Sequence, residues 1–587
     1  MEPQWIVAEG SEEAGRRLAD ALSLHPLVGR LLVQRGHGDP EAAAAFLSAS
    51  LADLPDPSLL KGSQDAIARI LRALADGEAI SLYGDYDVDG VCSTALLSLF
   101  LEQVGGQVRT YIPHRLEEGY GLNLAAVEKL AAEGTRLLIT LDCGITSHEE
   151  VERAVALGVD VIIVDHHTVP ALLPAAVAVL NPHQPGCTYP TQQLCAAGVA
   201  FNLCMGLRRA LRERGAFTQR PEPNLKAYLD LVALATVADV VPLTGANRIF
   251  VKAGLEELTR ARRPGVRALK EVSGMEPEAT VTSGQVGFRM GPRINAAGRL
   301  DDASAGLRLL RAQTLEEALP LARELDAANA ARQRIEAGIL EEALAQAAAQ
   351  VAEGAKGLVL HREGWHPGVI GIVASRVVER FHRPTVVIGV NDGVGKGSGR
   401  SIEAFHLHEA FAGCAEHLDR FGGHKYAAGL TVDASRIGGF VTAFQTWAAE
   451  RLGEAELQPR CRVDAVVDAL EVGEPLVQEL ARLAPFGAGN PTPVLALEGQ
   501  VVEARLLPDK RGMGPGHLKL RLPAAPALDA IGFGMGEKVA LTAGPVDLAF
   551  QAELDTWQGR TRVSLKLKSL RAVASQEPAA PLRSALG

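Results

Sequence analysis

The sequence predicts an α/β protein with a parallel sheet, a long connecting helix, a second α/β lobe and an all-β C-terminal region. Three observations predict it. Short apolar runs between residues 79 and 164 each end on an acid, as buried parallel strands do when they carry polar groups at their carboxyl ends. Residues 314 to 354 are rich in Ala, Glu and Leu with helical periodicity. Beyond residue 460, "CRVDAVVDA", "HLKLRLPA", "VDLAFQAELDTW" and "TRVSLKLKSL" read as strands.

The chain of 587 residues is too long for one core and implies about three or four domains. At 47% hydrophobic and 22% charged it is an ordinary globular composition. Its seven cysteines are scattered and form no CxxC pair, which supports neither a disulfide framework nor a zinc finger. No uncharged apolar run of membrane-spanning length occurs and the first residues lack an apolar signal core, so a cytoplasmic protein without a membrane partner is expected. The net charge of −11 weighs against a nucleic-acid partner only weakly. A carboxylate-rich metal site adds local negative charge while a separate Arg/Lys surface can still hold phosphates.

Taken in order, the first strand is "AISLYG", followed by "DYDVDG" and a helix, "VCSTALLSLFLEQV". Asp85, Asp87 and Asp89 alternate between them. A calcium loop starting at Asp85 has its glycine, Gly90, but places Leu96 where the closing glutamate belongs. A solvated acidic turn and a catalytic metal cradle remain. The arrangement then repeats. Asp142 follows the run 137–141, and Asp165, His166 and His167 follow 161–164. Asp239 follows the run 231–238, which Asp230 precedes. Four segments of one sheet are thus expected to bring acids, and one of them a His pair, to the same edge. Asp239 is the expected ligand of the fourth segment and Asp230 a local cap or ion-pair partner. Cys143 is read as core packing. Oxygen donors with one or two imidazoles suit Mn²⁺ or Mg²⁺, and a bridging carboxylate suits two ions. The ligands expected are Asp87, Asp89, Asp142, His166 and Asp239, with Asp85 a ligand or a neighbour supporting one. His167 is expected to contact phosphate or donate a proton.

In this order, "DYDVDG", "LDCGI", "VDHH" and "TVAD" resemble the four motifs of the DHH phosphoesterase superfamily. "GYGL", "CAAGVAF", "GPRINAAGRLDDA" and "GGHKYAAG" are similar to its bacterial single-strand-specific 5′→3′ exonucleases. The resemblance implies a leader over 1–60, a catalytic DHH domain over 61–310, a connecting helix over 311–354, a DHH-associated domain over 355–457, an OB-like domain over 458–575 and a tail over 576–587. Thr314 and Glu317 fit a capping box, and Pro320 should bend or restart the connecting helix.

In the second lobe, "VGKGSGRSI" and "RFGGHKYAAG" are expected to form Gly-rich turns that offer backbone N–H groups and cations to phosphates. Arg376, Ser398, Arg400, Gly422, Gly423, His424 and Lys425 are the candidates there. Arg115, Tyr120, Arg293 and Asn295 are candidates in the first lobe, with Arg299 beside them. Structural pairing with acids, such as Arg299 with Asp301, is the competing reading for these arginines. Phe533, Trp557 and Arg562 could stack bases along a C-terminal groove.

The resemblance implies a metal-dependent exonuclease on single-stranded DNA acting in repair and recombination. Family relatives add single-strand-binding protein and a RecQ-type helicase as partners of a monomer. Hydrolysis of short oligonucleotides or cyclic dinucleotides is the alternative chemistry. A DNA-binding scaffold with a dead site is the alternative class, but such a scaffold should have lost ligands, and every acid and histidine of the pattern is present.

Overall fold

In the computed structural model, residues 2–114, 118–119, 121–300, 303–509, 515–557 and 560–573 are described. Arg115, Tyr120, Asp301 and the side chain of Trp557 lie outside them. The described chain forms two compact units, one of residues 49–453 with 485–491, the other of residues 1–48, 454–484 and 492–587.

The first unit is built on a five-stranded, all-parallel sheet. Its spatial order is Gln107–Tyr111, Ala79–Gly84, Leu137–Leu141, Asp160–Val164, Ala178–Leu180. Leu137–Leu141 is buried at every position and Val161–Val164 likewise, as expected of parallel strands covered on both faces. From Ala79–Gly84 the chain passes through the Val88–Gln103 helix to one side of the sheet, then returns to the other side with Leu137–Leu141. Strand order therefore reverses at the carboxyl ends of these two strands, where open α/β sheets bind ligands. Asp85 and Asp142 are the next residues along each.

The fourth acidic segment is not a strand. Leu229–Ala238 is a helix with Asp239 at its C-cap. The run is apolar all round because the helix is buried on every side, packed against Val88–Gln103, Ala196–Glu213 and Gly245–Arg260. An apolar run without periodicity fits a buried strand and a buried helix equally.

The connecting helix runs without interruption from Leu315 to Ala352, with Thr314 accepting from Glu317 N–H at its start. Pro320 does not restart it. It lies in the second turn, where its missing N–H removes a single bond close to an end that Thr314 already holds.

The second lobe of this unit carries a mixed sheet in the order Arg420–Gly423, Ala427–Asp433, Val394–Arg400, Thr385–Asn391, Leu358–Glu363. "VGKGSGR" is thus a central strand, not a turn, and is paired along both edges. Gly395, Gly397 and Gly399 face the interior, where a Cβ would come within 2.9 Å of Ile388 and Val432, 2.7 Å of Leu430 and 2.7 Å of Leu407. They are glycines because larger neighbours fill the space.

The other unit holds a seven-stranded sheet in the order Ala465–Val466, Leu495–Gln500, Val546–Trp557, Arg560–Ala572, Asp529–Gly532, His517–Arg521, Glu503–Leu507. Its first strand in sequence, Gln4–Val7, pairs in parallel with Arg460–Val463. Trp5 donates to Ser569 Oγ at 2.9 Å and lies 4.3 Å under the Arg571 guanidinium. The N-terminal helices therefore belong to the C-terminal unit. Phe533 is exposed and packs edge-on to His517, while Arg562 is paired with Asp529 at 3.1 Å.

Candidate metal centre

Each acid is aimed by its backbone. Asp85, Asp142 and Asp165 continue the sheet by one bond each, their N–H groups donating to Leu141, Val164 and Leu180 carbonyls at 3.2, 3.0 and 3.0 Å. Asp87 caps the Val88–Gln103 helix, accepting from Asp89 and Gly90 N–H at 2.9 and 3.1 Å. The loop is tight at Gly90, where a Cβ would lie 2.4 Å from Asp85 O. Asp89 points back to the N-terminus of Ala196–Glu213, accepting from Ala196 and Ala197 N–H at 2.6 and 2.8 Å. Asn295 accepts from Val88 N–H at 3.0 Å, so it braces the acidic loop at the helix start.

The backbone is left-handed at one candidate ligand and directly after another. Asp142 has φ 65° and Val240, directly after Asp239, has φ 60°. Left-handed backbone at a β-branched residue costs about 1–3 kcal/mol and persists only where the surroundings impose it, as at functional sites.

The side chains converge. His166 Nε2 lies 3.1 Å from Asp142 Oδ1 and 3.7 Å from both Asp89 Oδ2 and Asp239 Oδ2. Three groups have their donor atoms within 4.8 Å of one another: Asp85, Asp87 and Asp142; Asp89, His166 and Asp239; Asp142, His166 and His167. The first two share no residue, so the site has donors for two cations, and Asp142 also adjoins the second.

Charge makes the same point. Burial, then the charge of Asp87, pushes Asp89 up to about 7. Burial, then Asp89 and Asp87, pushes Asp239 up to about 8 and drives Asp142 well above the carboxylate range. Burial lowers His166 to about 4, so the imidazole is neutral and its contact with Asp142 is a hydrogen bond, not an ion pair. Close-set buried carboxylates with a neutral imidazole are a donor set that a divalent cation satisfies.

Asp165, absent from the expected ligands, has a different task. It is fully buried and accepts from His167 Nδ1 at 2.7 Å and from His166, His167 and Ile145 N–H at 2.7, 3.1 and 3.0 Å. Burial alone would lower His167, but the bond and charge of Asp165 outweigh it and raise the imidazole to about 9. The signal was its place directly before the His pair.

Outside the cluster, the candidates divide. Arg293 is occupied by Asp326 Oδ1 at 2.9 Å and the carbonyls of Arg289 and Val272. Arg299 donates to Gly368 O at 2.9 Å, and Arg376 pairs with Glu379 at 3.3 Å. In the second lobe, antiparallel pairing sets Ser398 opposite Gly429 and Gly429 opposite Gly422. These positions share the exposed sheet face with Lys396, Arg400 and Arg420. Gly422 has nothing within 4 Å of a built Cβ. The result is an open glycine floor edged by cations. The strand's N–H groups are spent in the ladder, so it is side chains such as Ser398 and Arg400 that can meet phosphate. Arg400 donates to Ser398 Oγ at 3.1 Å and Gly399 O at 2.8 Å, and burial lowers its pKa. Gly423 closes the neighbouring strand at φ 134°, followed by His424 and by Lys425, which lies 5.2 Å from the Tyr426 ring.

Family models match three stretches: the DHH family N-terminal domain over 79–236, the DHHA1 domain over 342–450 and the RecJ OB domain over 463–569. The chain is 39% identical over 570 residues to the single-stranded-DNA-specific exonuclease RecJ of Dickeya dadantii, covering 93% of this chain and 96% of that one. The chain belongs to the RecJ family. The RecJ of Bacillus subtilis is 36% identical over 96% of this chain and 70% of its own. The crystal structure of Thermus thermophilus RecJ in complex with Mn²⁺ superposes with a TM-score of 0.83 at 32% identity, covering 97% of this chain and 80% of that one. The same protein in complex with Mg²⁺ gives 0.77 at 31% identity over 97% and 79%. The expected α/β DHH lobe, DHH-associated lobe and C-terminal OB domain all stand, and the RecJ structures hold Mn²⁺ in one case and Mg²⁺ in the other, the metals expected for this donor chemistry.

Proposed function

We propose that this chain is a single-stranded-DNA-specific exonuclease that hydrolyses phosphodiester bonds from the 5′ end in DNA repair and recombination. The observation that carries it is the convergence of Asp85, Asp87, Asp89, Asp142, His166 and Asp239 at the sheet's switch point, in a chain similar to RecJ exonucleases over nearly its whole length.

When bound, a pair of Mn²⁺ or Mg²⁺ ions lowers the pKa of a coordinated water and polarises the phosphodiester. The chain's own groups do the rest. Asp85, Asp87 and Asp142 hold one side of the site, and Asp89, His166 and Asp239 the other. Ala196 and Ala197 N–H fix Asp89 so that its two oxygens keep their direction. The buried Asp165 carboxylate accepts from His167 Nδ1 and favours the imidazolium, raising it to about 9, so His167 can meet a non-bridging phosphate oxygen or give its proton to the departing oxygen. Ser398, Arg400, Gly422, Gly423, His424 and Lys425 bind the backbone of the strand. Arg293, Arg299 and Arg376 support structure rather than phosphate in this reading.

The division into 61–310 for chemistry, 311–354 as connector, 355–457 for substrate and 458–575 for strand binding is kept as part of this proposal. So are a cytoplasmic location, a monomeric state and partnership with single-strand-binding protein and a RecQ-type helicase. No described helix is long and apolar enough to cross a membrane. The test is incubation with 5′- and 3′-labelled single and double strands, with and without Mn²⁺. Mn²⁺-dependent release of label from the 5′ end of single strands is expected. Cleavage confined to a few-nucleotide substrate would favour the short-oligonucleotide reading, and binding without cleavage the scaffold.

A further inference from the structure

The segment 485–491, "PFGAGNP", lies between two stretches of the β-rich unit in sequence, yet it is a compact part of the catalytic unit. It is a closed turn. Gly487 and Asn490 exchange both backbone bonds, at 2.9 and 3.2 Å, and the buried Asn490 side chain donates to Pro485 O at 2.8 Å. The turn sits on the loop that follows Asp239. Ala488 O accepts from Leu243 N–H at 2.7 Å. Phe486 O accepts from Ser283 Oγ, at the start of the turn of helix that leads into Val286–Met290. Contact is close at two glycines: a Cβ on Gly487 would lie 2.8 Å from Leu243 Cδ1 and push that side chain aside, and one on Gly489, at φ 70°, would lie 2.9 Å from Pro242 Cβ.

The loop needs holding. Asp239 ends its helix, and Val240 is β-branched, exposed and left-handed. Such backbone relaxes unless it is fixed at both ends. One end is the helix, through Asp239 N–H to Ala235 O at 2.9 Å. The other is the 485–491 turn on Leu243, with Asn247 Nδ2 on Pro242 O at 3.0 Å beside it. We infer that 485–491 is a positioning element for Asp239, holding its carboxylate against Asp89 and His166. This rests on Asp239 being a metal ligand. Loss of the groups that orient ligands typically weakens a metal by roughly 10–100-fold.

The test is a Mn²⁺ titration of the full, DNA-free chain, reading free Mn²⁺ by electron paramagnetic resonance. Wild type is compared with Gly487→Ala, Asn490→Ala and Asp239→Asn, with melting temperature and single-strand affinity measured alongside. Both turn variants should weaken one Mn²⁺ by roughly 10-fold or more while strand affinity and fold are retained. Leu243→Ala, which opens space for the new methyl, should restore much of that loss in Gly487→Ala. An unchanged Mn²⁺ isotherm in the folded turn variants, with Asp239→Asn impaired, overturns the positioning role alone. An unchanged isotherm in Asp239→Asn overturns the ligand assignment beneath it. Should Asn490→Ala not fold, Gly487→Ala decides by the same two outcomes.

Discussion

The metal centre and the glycine floor of the second lobe both await charge, but they are built in opposite ways. The first packs carboxylates at buried positions until their mutual repulsion and burial raise Asp89 to about 7 and Asp239 to about 8. The second spreads cations over an exposed sheet face whose middle row is Ser398, Gly429 and Gly422. A site that must hold a small divalent ion tightly is preorganised and strained. A site that must let a polymer pass is open and weakly held at each contact. The difference predicts that damage to the first stops chemistry and damage to the second weakens binding.

The largest effect should come from Asp142→Ala, which removes the acid adjoining both ligand groups. Single-turnover cleavage of labelled single strands should fall by on the order of 10³-fold or more, with strand affinity within about threefold of wild type. Equal losses in both would erase the distinction between the regions. Next, Arg400→Ala should weaken single-strand binding by roughly tenfold and flatten its salt dependence by about one phosphate equivalent, leaving cleavage at saturating enzyme largely intact. An unchanged slope in the salt titration would remove Arg400 from the substrate face.

A third effect is one of stability. Asp89 and Asp239 are raised in the folded state above their unfolded values, so at these two groups the metal-free fold binds more protons than the unfolded chain between about pH 4 and 8, outweighing the single lowered His166. Their stabilising contribution is complete below that window and is lost as pH rises through about 7 to 8. The melting temperature of the metal-free protein should therefore fall as pH rises across it, and saturating Mn²⁺ should flatten the profile. A metal-free profile that rises instead would mean that the acids are not crowded. The smallest effect belongs to Arg293→Ala. Its bond to the half-exposed Asp326 is worth about 1 kcal/mol or less, so melting should shift by a few degrees at most and cleavage stay unchanged. A large loss of cleavage would return Arg293 to the substrate.

The acidic cluster was legible because its acids follow apolar runs directly, so local pattern and three-dimensional position coincide at Asp85, Asp142 and Asp165. Asp239 reaches the same cluster although its segment is a helix, since an all-apolar run hides its period while still ending at the same edge of the core. The second lobe was less legible. "VGKGSGR" looks like a flexible turn in sequence, and only the packing of Leu430, Val432 and Leu407 into the missing side chains makes it a strand. Long-range pairing was invisible: nothing in Gln4–Val7 names Arg460–Val463 as its partner, and nothing in "PFGAGNP" points to Leu243. Asn295 and Asp165 matter through what they hold, and their roles appear only once Val88 N–H and His167 Nδ1 are placed.

The central claim is that two disjoint donor groups meet at the sheet's switch point to hold two cations. Anomalous diffraction at the manganese edge from crystals soaked in Mn²⁺ tests it most directly. Two peaks are predicted, one among Asp85, Asp87 and Asp142 and one among Asp89, His166 and Asp239. A single peak, or peaks away from these residues, would contradict it.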